Sequence, residues 1–216
     1  MKSIISFDLD QTLVETKKAH ALSFQKAFQE QGFNIQEKKI IKFIDGRHSR
    51  EVILSIKPGL KEEIIKKIRK RHKYFLKYTI KYVKPIKGAI KALKKLKKNY
   101  DLALVTNCDL VEASLLLRAS KISKKLFDLI VLANQVKHPK PWPDEIIRAE
   151  HILHVKSDIH VGDSIYDVIA AKKALAISVL VLTGQTPKNK IKKYHPDYII
   201  KSVAELPDLM KKINLK

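Results

Sequence analysis

Ile4-Ile5-Ser6-Phe7-Asp8-Leu9-Asp10-Gln11-Thr12 carries an apolar run straight into two aspartates one residue apart. A short apolar run of this kind suits a strand buried in a parallel sheet. Residues two apart in an extended segment point the same way, so Asp8 and Asp10 leave the strand end on one side. Such a pair can hold a hard cation between its oxygens, with one carboxylate attacking while the other moves protons. A solvated Asx turn closing a strand fits the same residues equally well, so the choice rests on the remainder of the chain.

Three later segments bear on that choice. Leu102-Ala103-Leu104-Val105 stops at Thr106-Asn107, whose hydroxyl and following backbone N–H can grip phosphate oxygens. A plain Thr/Asn turn ahead of a helix near Asp109 is the alternative. Lys140 follows His138-Pro139 and precedes Pro141-Trp142-Pro143. Proline limits backbone freedom there, which sets this lysine apart from the many on solvated helix faces. Finally, Ile159-His160-Val161 leads into Gly162-Asp163-Ser164-Ile165-Tyr166-Asp167, and a helix starting there puts residues 163 and 167 on one face.

Together these segments resemble the four motifs of the haloacid dehalogenase superfamily, along the whole chain. Asp8-Leu9-Asp10-Gln11-Thr12-Leu13-Val14 is similar to the first motif and Thr106-Asn107 to the second. Lys140-Pro141-Trp142-Pro143-Asp144 is similar to the third, and Gly162-Asp163 with Asp167 to the fourth. Val83-Lys84-Pro85-Ile86-Lys87-Gly88 and Ala170-Ala171-Lys172 resemble the phosphoglycolate phosphatase-like branch. Two departures stand out: Gln11, and Ala174-Leu175-Ala176, occupy places where the family usually carries a glycine.

The resemblance implies an α/β fold, a Rossmann-like parallel sheet with an inserted all-helical cap. Residues 1–14 and 85–216 form the core and residues 15–84 the cap. It implies that Asp8 is the nucleophile, forming an aspartyl-phosphate, and that Asp10 protonates the leaving oxygen and then activates water. Mg2+ is then held by the Asp8 carboxylate, the Asp10 backbone carbonyl and Asp163. Thr106 and the Asn107 N–H bind the transferred oxygens, Lys140 neutralises developing charge, and Asp167 orients Lys140 or a water on the metal. The implied substrate is a small phosphorylated metabolite, by default phosphoglycolate. Asp45-Gly46-Arg47-His48-Ser49-Arg50 resembles the specificity loop of the cap, where Arg47 and Arg50 can read a distal anion in bidentate fashion. Alternatively, Ser49 starts a helix and both arginines are solvated. A phosphosugar mutase of the β-phosphoglucomutase type is the nearest rival activity; a dehalogenase fits less well, having no need of Asp10. A basic nucleic-acid-binding protein on a hydrolase fold is the non-enzymatic alternative.

Composition bounds these readings. The 216 residues are 45% hydrophobic and can bury one good core plus a small module. No apolar run approaches the roughly 18 residues of a membrane span, and no signal peptide is expected. The single cysteine, Cys108, suits a reducing compartment and a cytoplasmic location. The net charge is +22, and residues 15–84 hold 19 Lys and Arg against 7 Asp and Glu. That excess can steer anionic substrates or contact nucleic acid. A lysine-rich surface over amphipathic helices is preferred, because no recognised nucleic-acid module accompanies it. His20 and His72 are read as surface residues, and the chain as a monomer or homodimer.

Periodicity predicts helices at 17–31, 36–43, 47–55, 60–78, 86–98, 110–120 and 144–153, and a closing helix. Strands are expected at 102–105, 129–132, 159–161, 177–182 and 198–200, with none between 15 and 84.

Overall fold

The computed structural model describes residues 3–213. Strand β1 (Ile4–Phe7) lies inside a six-stranded parallel sheet. On one side of it run β4 (Asp101–Thr106) and then β5 (Leu129–Leu132). On the other run β6 (Ser157–Gly162), β7 (Ile177–Val181) and β8 (Tyr198–Ile200). The strand order thus reverses about β1, and a crevice opens beyond the carboxyl ends of the strands at such a switch.

The alternation along β4 shows why the sheet is buried on both faces. Leu102 and Leu104 join Leu93 and Leu96 of α5 (Ala89–Leu96) and Leu116 of α6 (Leu110–Ala119) in one apolar cluster. Ala103 and Val105 join Ile146 of α7 (Asp144–Leu153) and Ala170 of α8 (Ile165–Lys173) in another. Successive side chains in a strand point to opposite faces, so one continuous apolar run serves two layers of helices.

Between the first strand and α5 the chain builds a helical segment with its own apolar cluster. It comprises α1 (Lys17–Gln29), α2 (Glu37–Ile41), α3 (Ser49–Ile56) and α4 (Glu62–Thr79). Phe24, Phe28, Ile40, Ile53, Ile65 and Ile68 meet in its interior. The entering and leaving chains are clipped together by β2 (Val14–Glu15) and β3 (Lys84–Pro85), an antiparallel pair with Val14 opposite Pro85. Two residues per strand are too few to show alternation, so this pair is invisible to pattern reading. The chain also folds α9 (Lys188–Tyr194), which was not expected. Lys188-Asn189-Lys190-Ile191-Lys192-Lys193-Tyr194 has almost no apolar face to betray a helix. The closing helix shrinks to α10 (Leu206–Leu209) behind a 3-10 turn. The expected helix at 86–98 begins only at Ala89, because Gly88 adopts a left-handed φ of 85°.

The two places where glycine was missed are both left-handed. Gln11 has φ 56° and Leu175 φ 59°. Leu175 ends α8 with its side chain 79% exposed, so it gains little packing in return for that backbone. Leu175→Gly is expected to stabilise the protein by about 1 kcal/mol, the left-handed penalty of an L-residue less glycine's entropy. Thermal unfolding should show a midpoint raised by about 2–4 °C; an unchanged or lowered midpoint refutes the argument.

Candidate active site

Three strand ends and one loop converge on one buried cluster. The Asp8 backbone N–H still donates to the Val161 carbonyl at 2.9 Å, so β1 runs alongside β6 up to the aspartate itself. Thr106 closes β4, and Asp163 follows β6. Ser164 and Asp167 form a reciprocal capping box at the start of α8, so ordinary helix capping fixes Asp167 beneath the site. Lys140 arrives on the proline-flanked loop, its peptide bond to Pro141 cis. Its Nζ donates to Asp8 Oδ1 at 2.7 Å, to Asp167 Oδ1 at 2.8 Å and to the Val105 carbonyl at 2.9 Å. All three ammonium protons are therefore placed.

Burial sets the electrostatics. It pushes the Asp8 carboxyl up to about 7, against the pull of Lys140 and helped by Asp167 and Asp10. Asp163 goes well above the usual carboxylate range for the same reason, with Asp167 and Asp8 as like-charged neighbours. Burial acts against Lys140 as well, but the Asp167 and Asp8 charges outweigh it and keep the ammonium protonated. Asp167, also buried, is held well below the ordinary range by Lys140 and His160. One lysine thus faces more carboxylate than it can neutralise. The surplus is visible in the hydrogen bonds: Asp8 Oδ2 and Asp163 Oδ1 are buried without a partner among the described residues. Carboxylate oxygens of Asp8, Asp163 and Asp167 lie within 4.8 Å of one another. An all-oxygen, anion-rich, unsatisfied set of this kind fits a hard divalent cation.

Asp10 behaves differently. Its side chain turns away from this cluster towards α1, where Oδ1 accepts from Thr16 Oγ1 and meets His20 Nε2 at 2.9 Å. The Cys108 thiol donates to Oδ2 at 3.0 Å. Burial pushes this carboxyl up, but the His20 charge and hydrogen bonds from His20, Thr16 and Cys108 bring it down to about 2. Asp8 and Asp10 thus lie on opposite sides of the ordinary carboxylate range although only two residues apart.

The sequence profile described as haloacid dehalogenase-like hydrolase matches residues 5–181. The chain belongs to the haloacid dehalogenase-like hydrolases. The phosphoglycolate phosphatase of Aquifex aeolicus is 28% identical over 222 residues, covering 96% of each chain. The pyrophosphatase PpaX of Oceanobacillus iheyensis is 26% identical over 205 residues, 94% of each. A crystal structure described as a predicted phosphatase from Clostridium acetobutylicum shares the fold, with TM-score 0.87 at 24% identity and 99% of this chain covered.

In this hydrolase the sequence-expected residues Asp8, Asp10, Thr106, Asn107, Lys140, Asp163 and Asp167 all reach the same strand-end cluster or its rim. Asn107 Nδ2 donates to the Gly46 carbonyl at 2.8 Å, tying the helical segment to the sheet. Gln185 Nε2 does the same to the carbonyls of Ile41 and Ile44 at 2.9 and 3.0 Å. Arg47 also lines the cavity, but its nitrogens are engaged: Nε and Nη2 donate to Asp45 at 2.7 and 2.8 Å, Nη1 to Ser55 at 2.6 Å. Arg50 is a correction. Ser49 opens α3, and Arg50 on its first turn points outward to an exposed pairing with Glu62 at 2.9 Å. It is not among the residues that line the cavity.

His20 and His72 are a second correction, since both are buried rather than on the surface. His20 Nδ1 lies 3.1 Å from His72 Nε2, and His72 Nδ1 lies 3.3 Å from Glu112 Oε1. Burial lowers the proton affinity of His20, yet the Asp10 charge outweighs it and raises it. Burial lowers that of His72. The network is consistent with a charged His20 donating to Asp10 and to His72, while His72 Nδ1 faces Glu112 without a hydrogen bond among the described residues. A signal was available in the sequence. His72 falls on the stripe of Ile65, Ile68 and Leu76, which is the buried face of α4.

Glu145 and His160 were also missed. Burial pushes Glu145 up to about 7, and its Oε2 accepts from the Lys140 N–H at 3.4 Å. His160 lies under Asp167, between it and Ser6 of β1.

Proposed function

We propose that the chain is a Mg2+-dependent phosphatase hydrolysing a small phosphomonoester through an aspartyl-phosphate on Asp8. The observation that carries this reading is the orphaned pair Asp8 Oδ2 and Asp163 Oδ1, buried above a fully engaged Lys140. Asp8, Asp163 and the Asp10 backbone carbonyl would hold Mg2+, which when bound supplies charge neutralisation for an anionic nucleophile meeting an anionic phosphate.

The Asp8 carboxylate attacks phosphorus, forming the Asp8 O–P bond as the P–O bond to the leaving alcohol breaks. Thr106 and the Asn107 N–H hold the equatorial oxygens, and Lys140 stabilises charge on them and on Asp8. The Asp10–His20 pair holds one proton beyond the doubly deprotonated state, and that proton reaches the leaving alkoxide through Asp10. Water then attacks the phosphoryl group, the Asp8 O–P bond breaks, and Asp10 takes up the proton that water releases. The helical segment 15–84 acts as the cap on a core of 1–14 and 85–216. Its separate apolar cluster, the two-strand clip and the Asn107 and Gln185 contacts support that role.

Asp10→Asn tests the proton role. Turnover should fall by about two to four orders of magnitude. With an activated aryl phosphate the phosphorylated protein should accumulate, visible as a mass increase after acid quench. Unchanged steady-state turnover removes Asp10 from this role. Chelation tests the cation: activity should vanish with EDTA, return with Mg2+, and require more Mg2+ in Asp163→Asn. Full activity of metal-free protein, or activity with Zn2+ alone, sinks the assignment.

A further inference from the structure

Resting on the phosphatase reading, we propose that the pocket selects phosphate esters whose leaving group is compact and carries no negative charge, with Glu112 and the Asp45–Arg47 pair excluding an anion. Both relatives described above bear names, phosphoglycolate phosphatase and pyrophosphatase, whose substrates carry a second anion beside the scissile phosphoryl group. A site for that anion needs a cation to receive it.

The cavity between cap and core offers none that is free among the described residues. The guanidinium of Arg47 is matched by the Asp45 carboxylate and fastened to Ser55. His20 Nε2 is engaged by Asp10 Oδ1 at 2.9 Å. Glu112 is buried in the same wall, its Oε2 accepting from the Asp109 N–H at 3.2 Å and its Oε1 facing His72. Burial raises the Glu112 carboxyl, but His72, the charge on His20 and the Asp109 N–H bring it down to about 2. Phe24, Ile44 and Val52 complete an apolar lining. An anionic leaving group must therefore displace Asp45 from Arg47 or settle beside Glu112 in a poorly solvated space, and like-charge juxtaposition at such a contact is strongly disfavoured.

Size narrows the class further. The cavity offers about 60 Å³, room for roughly four to six water-sized groups. A short neutral alcohol is compatible with that space.

The test uses a matched pair. Ethylene glycol monophosphate and phosphoglycolate differ only in a hydroxymethyl group against a carboxylate. Their phosphonate isosteres, hydroxypropylphosphonate and phosphonopropionate, report binding without turnover. With Mg2+ present, hydroxypropylphosphonate should bind at least about tenfold tighter by calorimetry, and kcat/KM should favour the glycol ester by a similar factor. Asp45→Asn, which frees Arg47, and Glu112→Gln, which removes a carboxylate from the wall, should each narrow the binding ratio at least about threefold. Equal or tighter binding of phosphonopropionate to the wild-type protein overturns the proposal, whether or not the variants fold. Folded variants that leave the ratio unchanged overturn the assignment to those residues. A preserved binding ratio with no hydrolysis of either ester would overturn the phosphatase reading and leave the selectivity standing.

Discussion

Asp8→Ala is expected to give a folded protein whose phosphatase turnover falls by about four orders of magnitude or more, because the variant loses the group that forms the covalent bond in the proposed mechanism. Folding should survive for an electrostatic reason. Burial lifts Asp8 from 3.8 to about 7 in the folded chain, so without metal its ionised form is the less comfortable one. A group whose folded pKa lies above its unfolded value contributes stability at low pH and loses it as pH climbs through the folded value. The metal-free wild-type protein should therefore weaken between about pH 4 and pH 7 through Asp8. Asp163 adds a loss of the same sign. Asp8→Ala lacks the first of these losses, so urea unfolding at pH 5 and pH 8 should differ less for it than for wild type. Near-wild-type turnover in the folded variant would end the nucleophile assignment. A larger pH dependence than wild type would show that Asp8 is not buried against neighbouring carboxylates as described.

The pH argument depends on how the two aspartates part company, and the sequence shows only half of that. The spacing of Asp8 and Asp10 after an apolar strand places both at the crevice. It does not show that Asp10 turns aside, because the partners that turn it are Thr16 just before α1, His20 on α1 and Cys108 after β4. Contacts between residues 98 positions apart, such as Cys108 with Asp10, leave no local pattern. The parallel sheet was legible because its central strands are near-continuous apolar runs, and β5 and β8 match their expected limits. The β2–β3 clip and α9 were not legible, the first too short for any period and the second too polar for a helical one. His72 was misread because its residue type was weighed above its place on the apolar stripe of α4. Arg50 was misplaced for the opposite reason: its charge suggested a ligand, but its position in the first turn of α3 decides where it points. Gln11 and Leu175 show local and global preference in conflict. The fold demands a left-handed residue at each, and the sequence supplies neither with glycine.

Lys140→Ala should resemble Asp8→Ala in activity and oppose it in stability. In the proposed mechanism, loss of the ammonium removes the charge facing the transferred oxygens, a change of about two to three orders of magnitude in kcat for groups of this type. It also strips Asp8 Oδ1 and Asp167 Oδ1 of their shared cation in a fully buried setting. Breaking a buried ion pair from one side costs about 3–5 kcal/mol, because the remaining charge has no compensation. The cost should depend on pH with a definite sign. Lys140 is charged in both folded and unfolded chains across the neutral range, and its folded proton affinity is raised, so its own contribution is constant there. The stranded carboxylates instead take up protons, which relieves the variant at low pH. Destabilisation measured by urea unfolding should accordingly be smaller at pH 5 than at pH 8. Adding Asp8→Asn to Lys140→Ala removes one of the stranded charges, and the double variant should recover part of the lost stability while remaining inactive. Strict additivity of the two changes in unfolding free energy would show that Asp8 and Lys140 do not form the coupled pair on which the proposed chemistry depends.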